Sequence, residues 1–557
     1  MTSKNHLIGF TLALIALSLV LGCTGAPSAT TSPVAITATK TKTVTPSVSP
    51  SPSKTPTSPP FHLWVAAYLP KELTESITLP DNFVLAQEND SADVHIAISK
   101  SDPIYYWVFA LAAPFPTLTD TITTQDLLAI WRGSPSGTFY NHRLLVSKDT
   151  YEALSQYWGR PSKANVTITP SKDLLETTWQ NASTWAIVPF ESLAPKWKVI
   201  RIDGISPLDK NFSPKDYALT MPVSIEVKNP SAQTFLDTTD KGKLLPNTSN
   251  YDPQKITSVV LTGVTALVRG TAHYMETRGM TYPATDIRDW LINADILHIS
   301  NEIPFSPKCP LPFSDQRDLV FCSRPQYIEL LEDIGTDVVE LSGDHFQDWG
   351  ADAMLYTIDL YKKEGWKYYG GGINLEDGRK PLLIEHNGNK IAFIGCNAKE
   401  KGYSGANDTS PGAVHCDFAY LNEQIGKLRK EGYLPIVTFQ HLEYYSYQAH
   451  PILQNDFRNV AEAGAVIVSG SQAHQPHALE FFNGALLHYG LGNLFFDQVK
   501  EGEPQRQAFV DRHIFYNNRH ISTELLTMYF IDFARPRPMT EEERQQLLTT
   551  VFKASGW

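Results

Sequence analysis

From residue 256 onward, short apolar runs alternate with longer stretches in which apolar residues recur at helical spacing. The runs predict strands at 259–267, 296–300, 338–342, 382–386, 391–396, 436–439, 466–469 and 486–489. The stretches between them predict helices at 284–292, 326–334, 351–364, 420–431 and 456–463. This order favours α/β layers around a buried sheet. Because Asn387-Gly388 between two strands predicts a tight hairpin, we expect a sheet that is not purely parallel.

The same alternation occurs earlier, in a region that we place at 61–240. Its predicted strands include 63–68, 94–98 and 108–113, and its clearest predicted helix is 124–131. A polar stretch with prolines and asparagines at 241–255 predicts an interdomain linker. The second domain then extends over 256–535, and the charged tail at 536–557 predicts a terminal helix. A chain of 557 residues is long enough for two folded domains.

The chain begins with a charged start and an apolar stretch, the pattern of an export signal, which we place at 1–22. Lys4 precedes the uncharged run 7–21, which is too short for a good membrane span. The run ends Val20-Leu21-Gly22-Cys23, which resembles the lipobox of bacterial lipoproteins. The resemblance implies lipid attachment to Cys23 and anchoring at the extracytoplasmic face of the cell membrane. A plain secretory signal with a chance cysteine is the alternative.

Residues 23–60 are almost entirely Ser, Thr, Pro, Ala and Val after the first cysteine, without an acidic residue. Such a composition cannot bury a core, and its prolines keep it extended, so it predicts a disordered stalk.

Charge and cysteine content narrow the possible functions further. The net charge of -12 argues against a nucleic-acid partner. The four cysteines beyond residue 23 fall into two local pairs, Cys309 with Cys322 and Cys396 with Cys416, which is the simplest of three connectivities. An exported protein could form both bridges, whereas a cysteine metal site is less favoured because no C-x-x-C spacing occurs.

Polar side chains stand at the ends of several predicted strands of the second domain. They are Asn301-Glu302, Gly343-Asp344-His345, His474 with His477, and Gly492-Asn493. In open α/β sheets, ligands gather beyond the carboxyl ends of the strands, and carboxylates and imidazoles are metal ligands. Histidine is also a general acid. The alternative for each position alone is a turn cap or a merely hydrogen-bonded histidine.

The first domain resembles type II periplasmic solute-binding domains of the phosphate-binding kind. The similar passages are 127–133 (LLAIWRG), 185–190 (WAIVPF), 199–204 (VIRIDG) and 216–219 (DYAL). The resemblance implies a two-lobed α/β fold whose cleft holds a small anion at helix N-termini. A generic α/β domain without a ligand is the alternative.

The second domain resembles the CapA-type capsule and poly-gamma-glutamate biosynthesis proteins, which share the calcineurin-like metallophosphatase fold. The similar passages are 267–270, 295–302, 341–350, 370–374, 379–381, 463–474 and 489–497. The resemblance implies a four-layer α/β/β/α sandwich with a metal site at the strand ends. As an enzyme, it would use His345, Arg269 and Asn301 in catalysis, Glu302, Asp344 and His474 as metal ligands, and His477 and Asn493 to bind substrate.

The chain departs from the family pattern at several of these ligands. Val264 stands where the family has a metal-binding aspartate, and a valine cannot coordinate. Asp344 replaces an asparagine, and the loop 470–474 keeps only the second of two histidines. Aligning Glu443-Tyr444 with the family puts Phe439 on a further histidine position, whereas His441 would need a two-residue shift. A two-metal hydrolase is therefore disfavoured.

The resemblances together imply a lipid-anchored surface protein that helps to make, export or anchor an anionic polymer such as a capsule or poly-gamma-glutamate. It acts either as a hydrolase or transferase that uses one divalent ion (Mn, Zn or Fe) or as a metal-free binding or scaffold protein. The polymer or its precursors and the membrane are the expected partners.

Overall fold

The computed structural model describes residues 59–238, 244–399, 405–500 and 502–557. The predicted signal peptide, Cys23 and nearly all of the stalk lie outside these residues. Residues 59–557 form one compact unit. Within the described residues, no helix has the length and apolarity needed to cross a membrane.

The first region is built from eleven strands and five helices within its described residues. The strands are β1 Phe61–Val65, β2 Phe83–Leu85, β3 Val94–Ile98, β4 Pro103–Pro114, β5 Thr121–Ile122, β6 Arg143–Val146, β7 Val166–Ile168, β8 Thr184–Pro189, β9 Trp197–Val199, β10 Arg201–Ile202 and β11 Thr220–Val227. The helices are α1 Lys71–Ser76, α2 Thr124–Arg132, α3 Lys148–Trp158, α4 Leu174–Trp179 and α5 Pro230–Thr238.

Strand β4 joins two half-sheets into one mixed sheet with the order β2-β1-β3-β11-β4-β8-β6-β7, and β9 also pairs with β4. Its 12 residues are nearly all apolar and mostly buried, as expected for a strand covered on both faces. One end of β4 pairs with β11 and the other with β8 and β9. The first region therefore has the predicted two-lobed α/β fold.

Residues 244–255, which the sequence predicts to be part of a linker, lie along β4. The Ser249 hydroxyl donates to the Tyr106 carbonyl oxygen at 2.7 Å, and Asn250 Oδ1 accepts the Val108 amide N–H at 2.7 Å. The ring of Phe190 in the first region lies 4.9 Å from the ring of Tyr516 in the second. The two regions are therefore packed against each other around this segment.

The second region contains sixteen strands and eight helices within its described residues. The strands are β12 Ile256–Thr265, β13 Ile296–Asn301, β14 Val338–Glu340, β15 Lys367–Tyr369, β16 Gly371–Gly372, β17 Leu382–His386, β18 Asn389–Asn397, β19 Gly412–Ala413, β20 Leu434–Gln440, β21 Ile467–Ser469, β22 Leu479–Phe482, β23 Ala485–His488, β24 Asn493–Phe495, β25 Gln507–Tyr516, β26 Arg519–Phe530 and β27 Pro536–Pro538. The helices are α6 Arg269–Arg278, α7 Arg288–Ile292, α8 Ile328–Asp333, α9 Gly350–Glu364, α10 Leu375–Gly378, α11 Phe418–Lys430, α12 Pro451–Ala463 and α13 Glu541–Ala554.

These elements form two stacked sheets covered by helices on both outer faces. The first sheet has the order β15-β14-β13-β12-β25-β26-β27, with β24 also on β12, and the second has the order β17-β18-β20-β21-β23-β22. Because side chains alternate along a strand, Val260 of β12 packs under the helices while Val259 and Leu261 pack between the sheets. Val437 of β20 packs against Phe457 of α12 on the opposite face. The predicted four-layer sandwich is confirmed.

The hairpin predicted at Asn387-Gly388 is confirmed, since β17 and β18 pair antiparallel around it. The long hairpin of β25 and β26 is absent from the sequence prediction. Its turn uses Asn517 and Asn518, both with positive φ (50° and 55°). Asparagine tolerates this left-handed conformation, which a two-residue hairpin turn requires at both positions.

The charged tail forms the terminal helix α13, and this helix belongs to the core. Leu547, Leu548 and Phe552 pack with the cluster between the two sheets. The Arg544 guanidinium binds both carboxylate oxygens of Asp120 in the first region, at 2.6 and 2.9 Å. The tail therefore ties the second region to the first.

Candidate metal site at the strand ends

The carboxyl ends of the parallel strands in both sheets meet at one edge of the sandwich. In the first sheet β12, β13 and β14 are parallel, and in the second sheet β18, β20 and β21 are parallel. The segments that follow these strands carry Glu302, Asp344, His345, Lys399, Glu443 and His474. Asn397 at the end of β18 donates to the Ser342 carbonyl oxygen at 3.0 Å and so links the two sheets at this edge.

Glu302, Asp344 and His345 offer ligand atoms that all lie within 4.8 Å of one another. Glu302 and Asp344 are buried, with 1% and 6% of their surface exposed. Among the described residues, Glu302 Oε2 has no hydrogen-bond partner although it is buried. A buried carboxylate oxygen without a partner is costly unless a proton, water or cation satisfies it.

The two buried carboxyl groups titrate in opposite directions. Burial, followed by the charge of Asp344, raises the pKa of Glu302 well above its ordinary value. Burial would also raise the pKa of Asp344, but the charges of Lys399 and His345 outweigh it and lower that pKa. Asp344 is therefore the more acidic carboxyl of the pair, and its surroundings favour the protonated form of Glu302 until a cation binds.

His345 is held as an imidazolium by the carboxylates around it. Its Nδ1 lies 2.7 Å from Asp348 Oδ2. Burial alone would lower the pKa of His345, but the hydrogen bond to Asp348 and the charges of Glu302 and Asp344 raise it to about 9. Because Asp348 occupies Nδ1, Nε2 is the nitrogen left to face a ligand, and such a carboxylate partner is typical of metal-binding histidines.

Lys399 reaches into the same cluster from the end of β18. Its Nζ lies 2.5 Å from Asp344 Oδ2 and 2.6 Å from Glu443 Oε1. Burial opposes the charged form, but these two carboxylates raise the pKa of Lys399 above its ordinary value. Lys399 and Glu443 are absent from the predicted site, although the ends of β18 and β20 are where strand-end reasoning would have looked.

His474 lies beside this cluster and contacts it through Glu443. Its Nε2 is 3.7 Å from Glu443 Oε2, and its Nδ1 is 2.9 Å from Asn493 Oδ1. Burial lowers the pKa of His474, so its ring is neutral at pH 7. Asn493 also donates to the His474 carbonyl oxygen at 3.2 Å. Asn493 therefore fixes the orientation of His474, and this pair is the second-sheet side of the site.

Arg269 stands behind the site rather than among its carboxylates. Its guanidinium binds Asp497 Oδ1 at 2.6 and 2.9 Å and lies 5.1 and 4.9 Å from the ring centres of Phe321 and Phe496. The Phe321 ring in turn lies 4.7 Å from the His345 ring. The contacts of Arg269 are therefore those of a residue that supports the wall of the site.

The structure does not bring Asn301 and His477 into the cluster. The Asn301 amide donates to the Tyr361 hydroxyl at 2.7 Å, on the side of helix α9. His477 Nε2 lies 2.9 Å from the Tyr444 carbonyl oxygen, and burial lowers the pKa of His477 to about 4. Both side chains are buried and contact their own loop or the helix layer.

Val264 supplies no ligand, because a valine side chain has no atom that can coordinate a metal ion. It is fully buried in a small apolar cluster with Ala266, Val268, Ile303, Phe321 and Phe496.

Gln440 extends the polar side of the site, since its Nε2 donates to Asp344 Oδ1 at 2.9 Å. Within the described part of the chain, Gln440 Oε1 and both polar atoms of Gln472 are buried without a hydrogen-bond partner.

The donors present therefore fit one cation and do not fit a pair. Glu302, Asp344 and the free nitrogen of His345 form a compact set of hard and borderline ligands. Val264 supplies no carboxylate to bridge a second ion, and Lys399 Nζ takes the space between Asp344 and Glu443 where that ion would lie.

Both predicted disulfides are confirmed, Cys309–Cys322 and Cys396–Cys416. Cys396 is the residue before Asn397 in β18, three positions ahead of Lys399. The bridge therefore fastens the end of this strand close to the site.

Residues 258–498 match the model of the family described as bacterial capsule synthesis protein PGA_cap. The PGA biosynthesis protein CapA of Bacillus subtilis (strain 168) is 27% identical over 173 residues, which are 31% of this chain and 45% of that protein. The capsule biosynthesis protein CapA of Bacillus anthracis is 23% identical over 297 residues, which are 52% of this chain and 70% of that protein. The chain thus matches less than half the length of the first relative.

Two solved structures are similar to parts of the chain. A 5'-nucleotidase precursor from Thermus thermophilus covers 54% of this chain and 59% of its own, with 12% identity and a TM-score of 0.32. An ABC-type phosphate transport receptor from Vibrio cholerae covers 33% of this chain and 96% of its own, with 11% identity and a TM-score of 0.26. TM-scores of this size assign neither activity to this chain.

Proposed function

We propose that the protein serves the synthesis, export or anchoring of an anionic surface polymer, because residues 258–498 match the PGA_cap family model. One observation carries this proposal. The family match includes every strand-end residue of the candidate site, from Glu302 to His474. A capsule or poly-gamma-glutamate is the polymer class that the relatives' names indicate.

In this proposal, the site binds one divalent cation through Glu302, Asp344 and His345. A bound cation would supply Lewis-acid chemistry at a phosphoester or amide bond of the polymer. Asp344 is the more acidic carboxyl of the pair, and the protons on Glu302 and on Nε2 of His345 leave when the cation binds. Asp348 holds the His345 ring in place, and the Phe321 ring packs beside it with ring centres 4.7 Å apart.

The second candidate is a binding or scaffold protein without catalysis. The observation that favours it is the ammonium of Lys399, which already forms ion pairs with both Asp344 and Glu443. A site whose carboxylates are paired in this way can hold a sugar chain or a polyanion without a metal ion.

Location at the cell surface is part of the same proposal. The charged start, the apolar run and the passage Val20-Leu21-Gly22-Cys23 support a lipid anchor. The two disulfides of the described region suit an oxidising compartment. Labelling with a radioactive fatty acid in the native host should mark the wild-type protein and not Cys23→Ser. An unlabelled wild type would remove the anchor from the proposal.

For the first region, the proposed ligand site is the cavity between its two half-sheets. This cavity of about 180 Å³ is lined by Ser147, Thr150 and Ser171 and also by the carboxylates Glu72 and Asp149. Ser147 caps the N-terminus of α3, which favours an anion, whereas the two carboxylates oppose a highly charged one. Calorimetry with phosphate and with glutamate tests both, and no heat from either would exclude small-anion binding.

The role in polymer formation is tested in the native host. In a strain that lacks the gene, we expect the wild-type chain to restore surface polymer and the double variant Glu302→Gln/Asp344→Asn to fail. The matched control is Glu376→Gln, whose side chain is 86% exposed and remote from the cluster. Full polymer levels with the double variant, at equal protein abundance, would show that this site does not serve the function.

Metal analysis and hydrolysis assays separate the two candidates. The purified full-length protein is analysed for bound metal and assayed for phosphodiesterase activity with added Mn²⁺, beside His345→Ala. One bound ion and turnover that His345→Ala abolishes would support the enzyme. Without metal, without turnover and with His345→Ala equal to wild type, the binding role would stand and the enzyme would be rejected.

A further inference from the structure

Lys399 occupies the centre of a ligand set that would otherwise suit a metal ion. Its Nζ contacts Asp344 Oδ2 at 2.5 Å and Glu443 Oε1 at 2.6 Å. Oxygen ligands surround Ca²⁺ at similar distances, about 2.3–2.6 Å. His474 Nε2 stands 3.7 Å from the other oxygen of Glu443. The ammonium therefore lies where two carboxylates and an imidazole converge.

The position of Lys399 is fixed by its surroundings rather than by a flexible surface contact. Only 10% of its side chain is exposed, and the Asp344 side chain is 5% exposed. The preceding segment is tied down, since the Lys399 amide N–H donates to Asn397 Oδ1 at 2.8 Å and Cys396 is disulfide-bonded. A buried ammonium between two carboxylates is a permanent part of the site.

Removal of the Lys399 ammonium would take away the positive charge that Asp344 and Glu443 share. Asp344 would keep its hydrogen bond from Gln440. Among the described residues, the neighbours that Glu443 would keep include the His474 ring, whose pKa burial lowers, and the Tyr445 hydroxyl, which donates to it at 3.0 Å. Two carboxylates that have lost their shared ammonium, beside an imidazole, form a typical site for Mn²⁺ or Zn²⁺. The uncompensated charge is also costly enough to favour uptake of a cation from solution.

We propose that the Lys399 ammonium is a built-in cation that fills the second cation position of this site. The chain therefore binds a single divalent ion, at Glu302, Asp344 and His345, and Lys399 supplies the neighbouring positive charge. An anionic group of the polymer would meet one ion and one ammonium instead of two ions. This inference rests on the one-ion site of the proposed function and specifies how that site is limited to one ion.

The test counts Mn²⁺ ions bound to the full-length protein after equilibrium dialysis. We expect one ion in the wild type, two in Lys399→Met and one in Lys399→Arg, which keeps the charge. Because the two ions of Lys399→Met would share Asp344, electron paramagnetic resonance should show a magnetically coupled pair. The double variant Lys399→Met/Glu443→Gln, which loses one cation and one anion together, should again bind one ion.

The possible outcomes separate this inference from the proposed function. One ion in both the wild type and a folded Lys399→Met would overturn the inference and leave the one-ion site intact, and two ions in the wild type would also overturn it. No ion in the wild type but one in Lys399→Met would reject the wild-type ion site while supporting Lys399 as the built-in cation. If Lys399→Met fails to fold, the ion count of Lys399→Met/Glu443→Gln is used instead, with circular dichroism equal to wild type as the evidence that this variant is folded. One bound ion in this double variant supports the inference, and two bound ions overturn it.

Discussion

Replacement of Arg269 by methionine should destabilise the protein through the carboxylate that it leaves behind. Asp497 is 2% exposed at its side chain, and Arg269 is its charged partner at 2.6 Å. The only other donor to Asp497 among the described contacts is the Gly270 amide N–H, at 2.9 Å. Arg269→Met keeps an apolar stem between Phe321 and Phe496 but leaves Asp497 buried without a charged partner.

The expected loss in the free energy of unfolding is about 3 kcal/mol, near the lower end of the range of roughly 3–5 kcal/mol for breaking a buried ion pair. The lower end applies because Gly270 still donates to Asp497. Loss of the contacts with two aromatic rings adds about 0.5–1 kcal/mol for each ring that the guanidinium faces. The double variant Arg269→Met/Asp497→Asn removes the unpaired charge and should recover about half of the loss.

Urea denaturation followed by tryptophan fluorescence measures both variants against the wild type. A loss below about 1 kcal/mol in Arg269→Met, or a double variant no more stable than the single one, would refute the reasoning about the buried charge. The polymer assay in the native host adds a functional readout. A stable double variant that restores polymer identifies Arg269 as a positioning residue, whereas a stable double variant without polymer would return it to a catalytic role.

Three further predictions concern stability. Gly263→Ala should lower the free energy of unfolding, measured by urea denaturation, by more than about 3 kcal/mol, because the added Cβ would lie 1.8 Å from the Gly492 carbonyl oxygen. The control Gly426→Ala places its Cβ in open space and should be neutral or stabilising. The double variant Cys396→Ala/Cys416→Ala removes a disulfide whose cysteines are 20 residues apart and should lower the free energy of unfolding by about 3 kcal/mol. Equal urea midpoints for this variant and the wild type would contradict the prediction. Acidification should destabilise the protein through His477. The pKa of His477 is about 4 in the folded state, below its unfolded value of about 6.5. As the pH falls through about 6.5, the unfolded state therefore takes up the proton first. This contribution reaches about 2 kcal/mol at pH 5, and a loss between pH 7 and pH 5 that is unchanged in His477→Gln would contradict it.

The sandwich could be predicted from the sequence because its central strands are buried on both faces. Such strands, like β13 and β20, read as continuous apolar runs whose ends are marked by polar residues. The hairpin of β25 and β26 could not be recognised in this way. Arg512 and Glu524 interrupt its apolar pattern, and they form an ion pair with each other across the two strands at 2.7 Å. Glu524 also pairs with Arg201 of the first region at 3.4 Å, and a linear pattern shows neither of these partners.

The same limit applies to the candidate site. Glu302, Asp344 and His345 could be predicted because each follows a strand of one sheet and lies in a passage that resembles the family, although Asp344 replaces the asparagine of that pattern. Lys399 and Glu443 follow strands of the second sheet, and their importance depends on how closely the two sheet edges approach. Asn301 is the last residue of β13, directly before Glu302, and its amide nitrogen donates to the Tyr361 hydroxyl on the side of helix α9. Neighbouring residues at a strand end point to opposite faces, and a linear pattern does not show which of the two faces the cluster.

The positions that differ from the CapA-type pattern are accommodated by their surroundings. Val264 packs among Phe321, Phe496 and other apolar side chains. Lys399 forms ion pairs with both Asp344 and Glu443. Unpaired buried charge is strongly destabilising, so a site that had merely lost its ions would not keep these carboxylates buried in this way. The charge balance of this site includes Lys399, and it is this balance that the ion count of Lys399→Met measures.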